Sequence, residues 1–166
     1  MTPHIIFTDA DGTLWNFHDL EAHSSIKKRT LRKATLDPYT LPLLKFLKKR
    51  KIPVVIISYQ SFTSRKNARR KLLRWLHHFH ISQYISEINL AHKRTNPKSR
   101  VIQRILKERQ LSPKQALFIG DRYRWDYQEA QKAGVPAFLL KKPENKRYKV
   151  NKATLKGVLS RLGVKT

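Results

Sequence analysis

Short apolar runs alternate with amphipathic stretches along this chain. "HIIF" (residues 4–7), "PVVIIS" (53–58), "YISEINL" (84–90), "ALFI" (116–119) and "AFLL" (137–140) are rich in branched or aromatic residues. They are too short for ordinary helices and suit strands buried on both faces. Between them the period changes. "LPLLKFLKKRK" (41–51) predicts a helix feeding the second strand, and "SRKNARRKLLRWLHHF" (64–79) gathers Ala68, Leu72, Trp75, Leu76 and Phe79 on one face, with Arg65, Arg69, Arg70 and Arg74 largely elsewhere. "KSRVIQRILKER" (98–109) and "WDYQEAQKAG" (125–134) repeat the form, the latter stopping at Gly134 as a helix C-terminus should. "KATLKGVLSRLG" (152–163) predicts a last helix.

Strand and helix alternating in this order predict a three-layer, Rossmann-like α/β fold with a mostly parallel central sheet. At 166 residues and 40% hydrophobic content the chain suffices for one core, so residues 1–166 are expected to form one domain. No internal repeat interrupts it. The stretch from about 16 to 40 lacks a clear period and is expected to be a loop or flap. The segment from about 141 to 166 opens on a second irregular and strongly basic stretch, "KKPENKRYKVNK". There is no cysteine, hence no disulfide framework, thiolate metal site or thiol nucleophile. With no secretory pattern at the start and no window of membrane-span length, the expectation is a soluble, cytoplasmic protein with no membrane partner.

Charge changes this picture. Against 36 Lys and Arg stand only 11 Asp and Glu, a formal net of +25. Such a field attracts polyanions or phosphorylated substrates, although cations spread over a solvated surface would give the same composition. Scarcity makes the acids informative. Asp9 and Asp11 close the first apolar run in "HIIFTDADGTLW", and Asp121 and Asp126 follow the fourth in "ALFIGDRYRWD". Two of only five glycines, Gly12 and Gly120, sit beside them, a placement that suggests tight turns at a site.

In parallel α/β sheets, ligands lie beyond the carboxyl ends of the strands. Asp9 and Asp11, Ser58, and Gly120 with Asp121 each fall at such an end, so one crevice is expected to collect carboxylates and a hydroxyl. Strand alternation would send Asp9 and Asp11 to the same side. Two like charges so placed need a cation, and clustered oxygens suit a hard divalent ion such as Mg²⁺. His77, His78 and His80, also closely spaced, would be spread round their helix and are expected to be solvated or at the core edge rather than ligands. Trp75 and Phe79 are expected in the core. Trp15 and Trp125 belong near the crevice mouth, where an aromatic either packs on substrate or closes the core.

These residues resemble the motifs of the haloacid dehalogenase superfamily phosphatases. "FTDADGTLW" is similar to the first motif, Ser58 ending "PVVIIS" to the second, and "FIGDRYRWD" with "YQEAQKAGVP" to the acidic fourth motif and its following helix. The resemblance covers nearly the whole chain in order. It implies that Asp9 is the nucleophile, forming an aspartyl phosphate, and that Asp11 is the general acid and then base, its backbone carbonyl touching the metal. It further implies that Asp121 is a Mg²⁺ ligand, that Asp126 supports the metal through water or an outer contact, and that Ser58 and Gly12 serve phosphate binding. The lysine of the third motif is expected at the start of a helix. Lys98 is favoured over Lys93, although Asn96 precedes Pro97 where relatives often have lysine.

The gaps between these motifs leave no room for an inserted cap domain. A capless chain of this kind resembles the magnesium-dependent phosphatase subgroup, whose open crevices admit large substrates. The expected function is a Mg²⁺-dependent hydrolase of phosphomonoesters, with a small molecule, nucleic acid or protein carrying the phosphate. The alternative is a nucleic-acid-directed protein on the same scaffold, as a polynucleotide end phosphatase or as a non-catalytic binding module.

Overall fold

Residues in the apolar runs alternate between two cores, and this alternation makes the sheet the middle of three layers. The computed structural model describes residues 2–17, 34–59 and 65–164. Six parallel strands, β1 (Ile5–Thr8), β4 (Val54–Tyr59), β5 (Glu87–Ala91), β6 (Ala116–Gly120), β7 (Ala137–Leu140) and β8 (Lys152–Ala153), lie in the order β5-β4-β1-β6-β7-β8. Ile6, Val54, Ile56, Leu117 and Ile119 face one core, and Ile5, Phe7, Val55, Ile57 and Phe118 face the other. Helices α1 (Thr40–Lys49), α2 (Arg65–His78) and α5 (Leu155–Arg161) cover the first face, through Leu43, Leu72 and Val158 among others. Helices α3 (Lys98–Glu108) and α4 (Gln128–Lys132) cover the second, through Val101, Ile105 and Ala130. No helix among the described residues is long and apolar enough to cross a membrane.

From β1 at the centre the chain runs outward through β4 and β5, then returns to β6 on the other side of β1. That reversal opens a crevice beyond the carboxyl ends of β1, β4 and β6, the general ligand position in open parallel sheets. No inserted domain covers it among the described residues.

Four local features depart from the sequence pattern. The third strand begins at Glu87 because Ser82–Tyr84 form a tight turn first. The stretch expected to be a loop is paired at its ends, β2 (Trp15–Phe17) running antiparallel to β3 (Ala34–Leu36), while its middle, 18–33, lies outside the described residues. In the basic C-terminal stretch, a turn over Pro143–Asn145 precedes β8, which at two residues is too short to leave a period. Before α4, the helix expected from 125 opens as a wide turn over Tyr123–Tyr127, in which Tyr127 N–H bonds back five residues to Arg122 O. Widened turns of this kind often mark functional sites.

Trp15 belongs to the core. It is fully buried, with its ring centroid 6.1 Å from that of Trp75 and 5.6 Å from that of Phe79. His77 and His78 are exposed, and the His78 ring packs edge-on against Phe79. Replacing Trp15 by Ala should remove a large buried ring from this stack and lower stability by about 3–5 kcal/mol. Urea unfolding followed by circular dichroism measures this, and a loss below about 1 kcal/mol would contradict the packing role.

Candidate active site

Lys98 is the first residue of α3, and its side chain is almost wholly buried. Its Nζ donates to Asp9 Oδ1 at 2.8 Å and to Asp126 Oδ1 at 2.7 Å. Burial alone would push the ammonium down, but the Asp126 and Asp9 carboxylates outweigh it and hold the pKa above its ordinary value. Lys93, the other candidate, lies over the Trp125 ring, 4.1 Å from its centroid.

The helix start is fixed from outside, since α3 has no side-chain cap of its own. Glu129 on α4 supplies one. Its Oε2 accepts from Ser99 N–H at 3.1 Å and from Ser99 Oγ at 2.8 Å, while Oε1 accepts from Lys132 Nζ. Burial works against the Glu129 carboxylate, yet the bonds from Lys132 and Ser99 hold its pKa below the usual range. Tyr59, ending β4, accepts from Lys98 N–H at 3.3 Å.

Asp9, Asp121 and Asp126 each offer an oxygen to a buried group in which these atoms all lie within 4.8 Å of one another. Asp126 is anchored by accepting Arg122 N–H at Oδ2, and its carboxylate packs against Gly120. A Cβ at position 120 would fall 2.6 Å from Asp126 Oδ2, so this close approach requires glycine. Gly12 meets two demands at once. Its φ is +80°, and a Cβ there would collide with Asp121 Oδ2. Its N–H donates to Trp15 O at 2.8 Å.

Strand alternation does not by itself set the direction of Asp11. β1 ends at Thr8, and the chain turns through Gly12, so the i, i+2 rule no longer applies. Asp11 Oδ1 accepts from Trp15 Nε1 at 3.0 Å, and its carboxylate is not one of the three in the buried group. Ser58 lies near the end of β4, buried, and its hydroxyl has no hydrogen-bond partner among the described residues. A buried hydroxyl in that position is a donor available to a ligand.

Three residues at this end of the sheet escaped the motif analysis. Lys142, just after β7, places Nζ 3.4 Å from Asp121 Oδ2 and 3.2 Å from Asn16 Oδ1. Asn145, buried, donates from Nδ2 to Asp121 O at 2.6 Å and Leu140 O at 3.0 Å, tying the loop after β7 to the end of β6. Glu129 is the third. Its rarity as an acid was a usable signal, whereas one lysine among so many carries none.

The donor set fits a divalent cation. Burial first, then the Asp126 and Asp9 charges, push Asp121 up to about 7 despite opposing Lys142 and Arg122. Burial and the Asp9 charge likewise raise Asp126 against the pull of Lys98. Three carboxylates are thus more than the resident ammonium groups neutralise, and an oxygen-preferring ion would relieve the excess.

A family model and several solved structures are similar to this chain. The family model described as haloacid dehalogenase-like hydrolase matches residues 26–134, a span that includes Ser58, Lys98, Asp121 and Asp126 and begins after Asp9 and Asp11. Among curated proteins, none matches the sequence. Similar solved structures include an uncharacterized protein from Listeria monocytogenes serotype 4b, with TM-score 0.70, 18% identity, and coverage of 98% of this chain and 97% of the other. A haloacid dehalogenase-like family protein from Streptococcus pneumoniae has TM-score 0.66 and 18% identity, over 95% and 97% of the two chains. A D,D-heptose bisphosphate phosphatase from B. bronchiseptica, complexed with magnesium and phosphate, has TM-score 0.69 and 18% identity, over 98% of each chain. At such identities the likeness establishes the fold.

The raised Asp121 pKa has a sign that can be tested. Between its ordinary value of 3.8 and about 7 the native carboxyl keeps a proton that the unfolded chain has released. Without a divalent cation, this group therefore makes stability fall as pH rises through that window. A cation that binds the ionised cluster should reverse the trend, so its addition should raise Tm more at about pH 8 than at about pH 5. Thermal scans with and without the ion measure the two increments, and an equal or larger gain at the lower pH would contradict the assignment.

Proposed function

The chain belongs to the haloacid dehalogenase-like hydrolase family, and we propose that it is a Mg²⁺-dependent phosphomonoester hydrolase working through an aspartyl phosphate in an open crevice. The observation that carries this reading is the Lys98 ammonium bridging Asp9 and Asp126 beside Asp121. A carboxylate intended as a nucleophile must be kept ionised and aimed. Lys98 serves the aiming, because its bond to Asp9 Oδ1 leaves Oδ2 to face phosphorus.

In the first step Asp9 Oδ2 forms a bond to phosphorus as the bond to the leaving oxygen breaks, and Asp11 gives that oxygen a proton. Trp15 Nε1 fixes the orientation of the Asp11 carboxyl through Oδ1. In the second step the Asp11 carboxylate takes a proton from water, whose oxygen bonds to phosphorus. The bond from phosphorus to Asp9 breaks, releasing inorganic phosphate and restoring the carboxylate. Ser58 Oγ and Lys98 Nζ stabilise the phosphoryl oxygens throughout. Asp9, Asp121 and the Asp11 backbone carbonyl would hold Mg²⁺, with Asp126 supporting it. When bound, the ion offsets charge on the transferring group. The magnesium and phosphate in the B. bronchiseptica neighbour are the pair this reading asks of the site.

Asp9→Asn should abolish turnover of 4-nitrophenyl phosphate, a drop of at least about 10³-fold, while circular dichroism and Tm stay near wild type. Asp11→Asn should retain the first step with this good leaving group, so acid-quenched enzyme should carry phosphate on Asp9, detectable by intact-mass measurement. Chelation should silence the wild type and Mg²⁺ should restore it. Comparable activity in Asp9→Asn and wild type, or full activity in excess chelator, would reject the mechanism.

A further inference from the structure

The charge of this chain is not evenly placed with respect to the crevice. The described loops that leave the carboxyl ends of the strands, 92–97, 121–127 and 141–151, hold nine Lys and Arg. Those that enter the amino ends, 50–53, 79–86, 109–115 and 133–136, hold four. Apart from the site aspartates, Glu144 is the only acid in the first set. The cations of the first set surround the mouth of the crevice, where they would act on whatever extends out of the site.

Aromatic rings also reach the surface in these loops. Trp125, Tyr123 and Tyr148 are half-buried and lie between exposed cations. Tyr123 and Tyr148 stack in parallel at 3.9 Å, and Arg147 lies over the Tyr148 ring at 4.9 Å. On the other flank, Lys93 covers Trp125, which meets the ring of Tyr59 edge-on at 5.7 Å. Tyr59 in turn touches the backbone of Lys98, so this flank is continuous with the site. By contrast, the Arg69 guanidinium on α2 donates to Ile88 O, within the edge strand β5 rather than in the loop beyond it.

We propose that the mouth binds single-stranded nucleic acid, presenting a terminal phosphomonoester of that strand to the crevice. The proposal rests on the hydrolase reading above and specifies its substrate class. Rings interleaved with cations are what a single strand requires, because bases present π faces and every linkage carries a charge. A lipid surface would need exposed apolar groups, and Leu73 on α2 is the one exposed large hydrophobic side chain among the described residues. Lys93 and Arg147, already seated on rings, can exchange those faces for backbone phosphates as bases take their place.

The test compares thymidine monophosphate with a short oligothymidylate carrying the same terminal phosphate, using 4-nitrophenyl phosphate as control. The oligonucleotide should have the higher kcat/KM at low salt. For about four phosphate contacts, a fourfold rise in salt should lower its kcat/KM about 50-fold, while the mononucleotide responds weakly. Arg94→Gln, Lys146→Gln and Lys149→Gln combined should lower the ratio of oligonucleotide to mononucleotide efficiency at least about tenfold. A charge-matched control at the opposite end of the sheet, Arg50→Gln, Lys107→Gln and Lys114→Gln, should lower it far less. Equal efficiencies at all salt concentrations, equal losses in the two triple variants, or preference for a phosphopeptide would overturn the proposal. If no phosphomonoester is hydrolysed, the hydrolase reading fails instead. Fluorescence anisotropy of the labelled oligonucleotide on the two variants then decides the mouth separately.

Discussion

A single buried ammonium organises the functional end of this protein. An unpaired Lys98 charge would be prohibitively costly in so dry a position, so the chain must bring carboxylates to it from elsewhere. Asp9 comes from the end of β1 and Asp126 from the wide turn after β6. The bridge therefore joins two neighbouring strands and α3 at one point. Removing both acids would leave an uncompensated charge, whereas loss of one leaves Lys98 paired with the other, so the geometry of the site and the stability of the fold share the same bridge.

The surrounding contacts make that point rigid. Glu129 holds Ser99 at the start of α3, Tyr59 accepts the Lys98 N–H, and the Arg122 N–H fixes Asp126. None of these groups need meet a substrate. They act by leaving Lys98 and its carboxylates little freedom to reorient, the preorganisation on which electrostatic catalysis depends. Gly12 and Gly120 complete the arrangement by admitting Asp121 and Asp126 against the backbone.

The site also reaches into the core and out to solvent. Trp15 stacks with Trp75 and Phe79 while its Nε1 holds Asp11, so hydrophobic packing on one face of the sheet orients a carboxyl in the crevice. Outward, the loops after β5, β6 and β7 carry nine Lys and Arg, against four in the described loops at the other end, together with half-buried rings. The asymmetry is one of placement. Net charge alone would draw a polyanion anywhere, whereas a concentration round the crevice directs it to the chemistry.

Much of this was legible in the sequence because it rests on short-range rules. The five longer strands of the central sheet follow from apolar runs, the helices from their period, and Asp9, Ser58 and Asp121 from being polar at the ends of such runs. Lys98 was legible as a helix start, although not as a buried bridge. What tertiary structure decided depends on contacts between segments far apart in the chain. The Glu129 cap on α3 and the Asn145 contact to Asp121 have no local period to betray them. Lys142 is one cation among 36, and only its distance from Asp121 separates it from the rest. Asp11 is the instructive case: alternation holds only while the strand continues, and β1 ends at Thr8, before reaching it. The backbone bend and a buried indole, rather than the spacing of two aspartates, set where that carboxylate points.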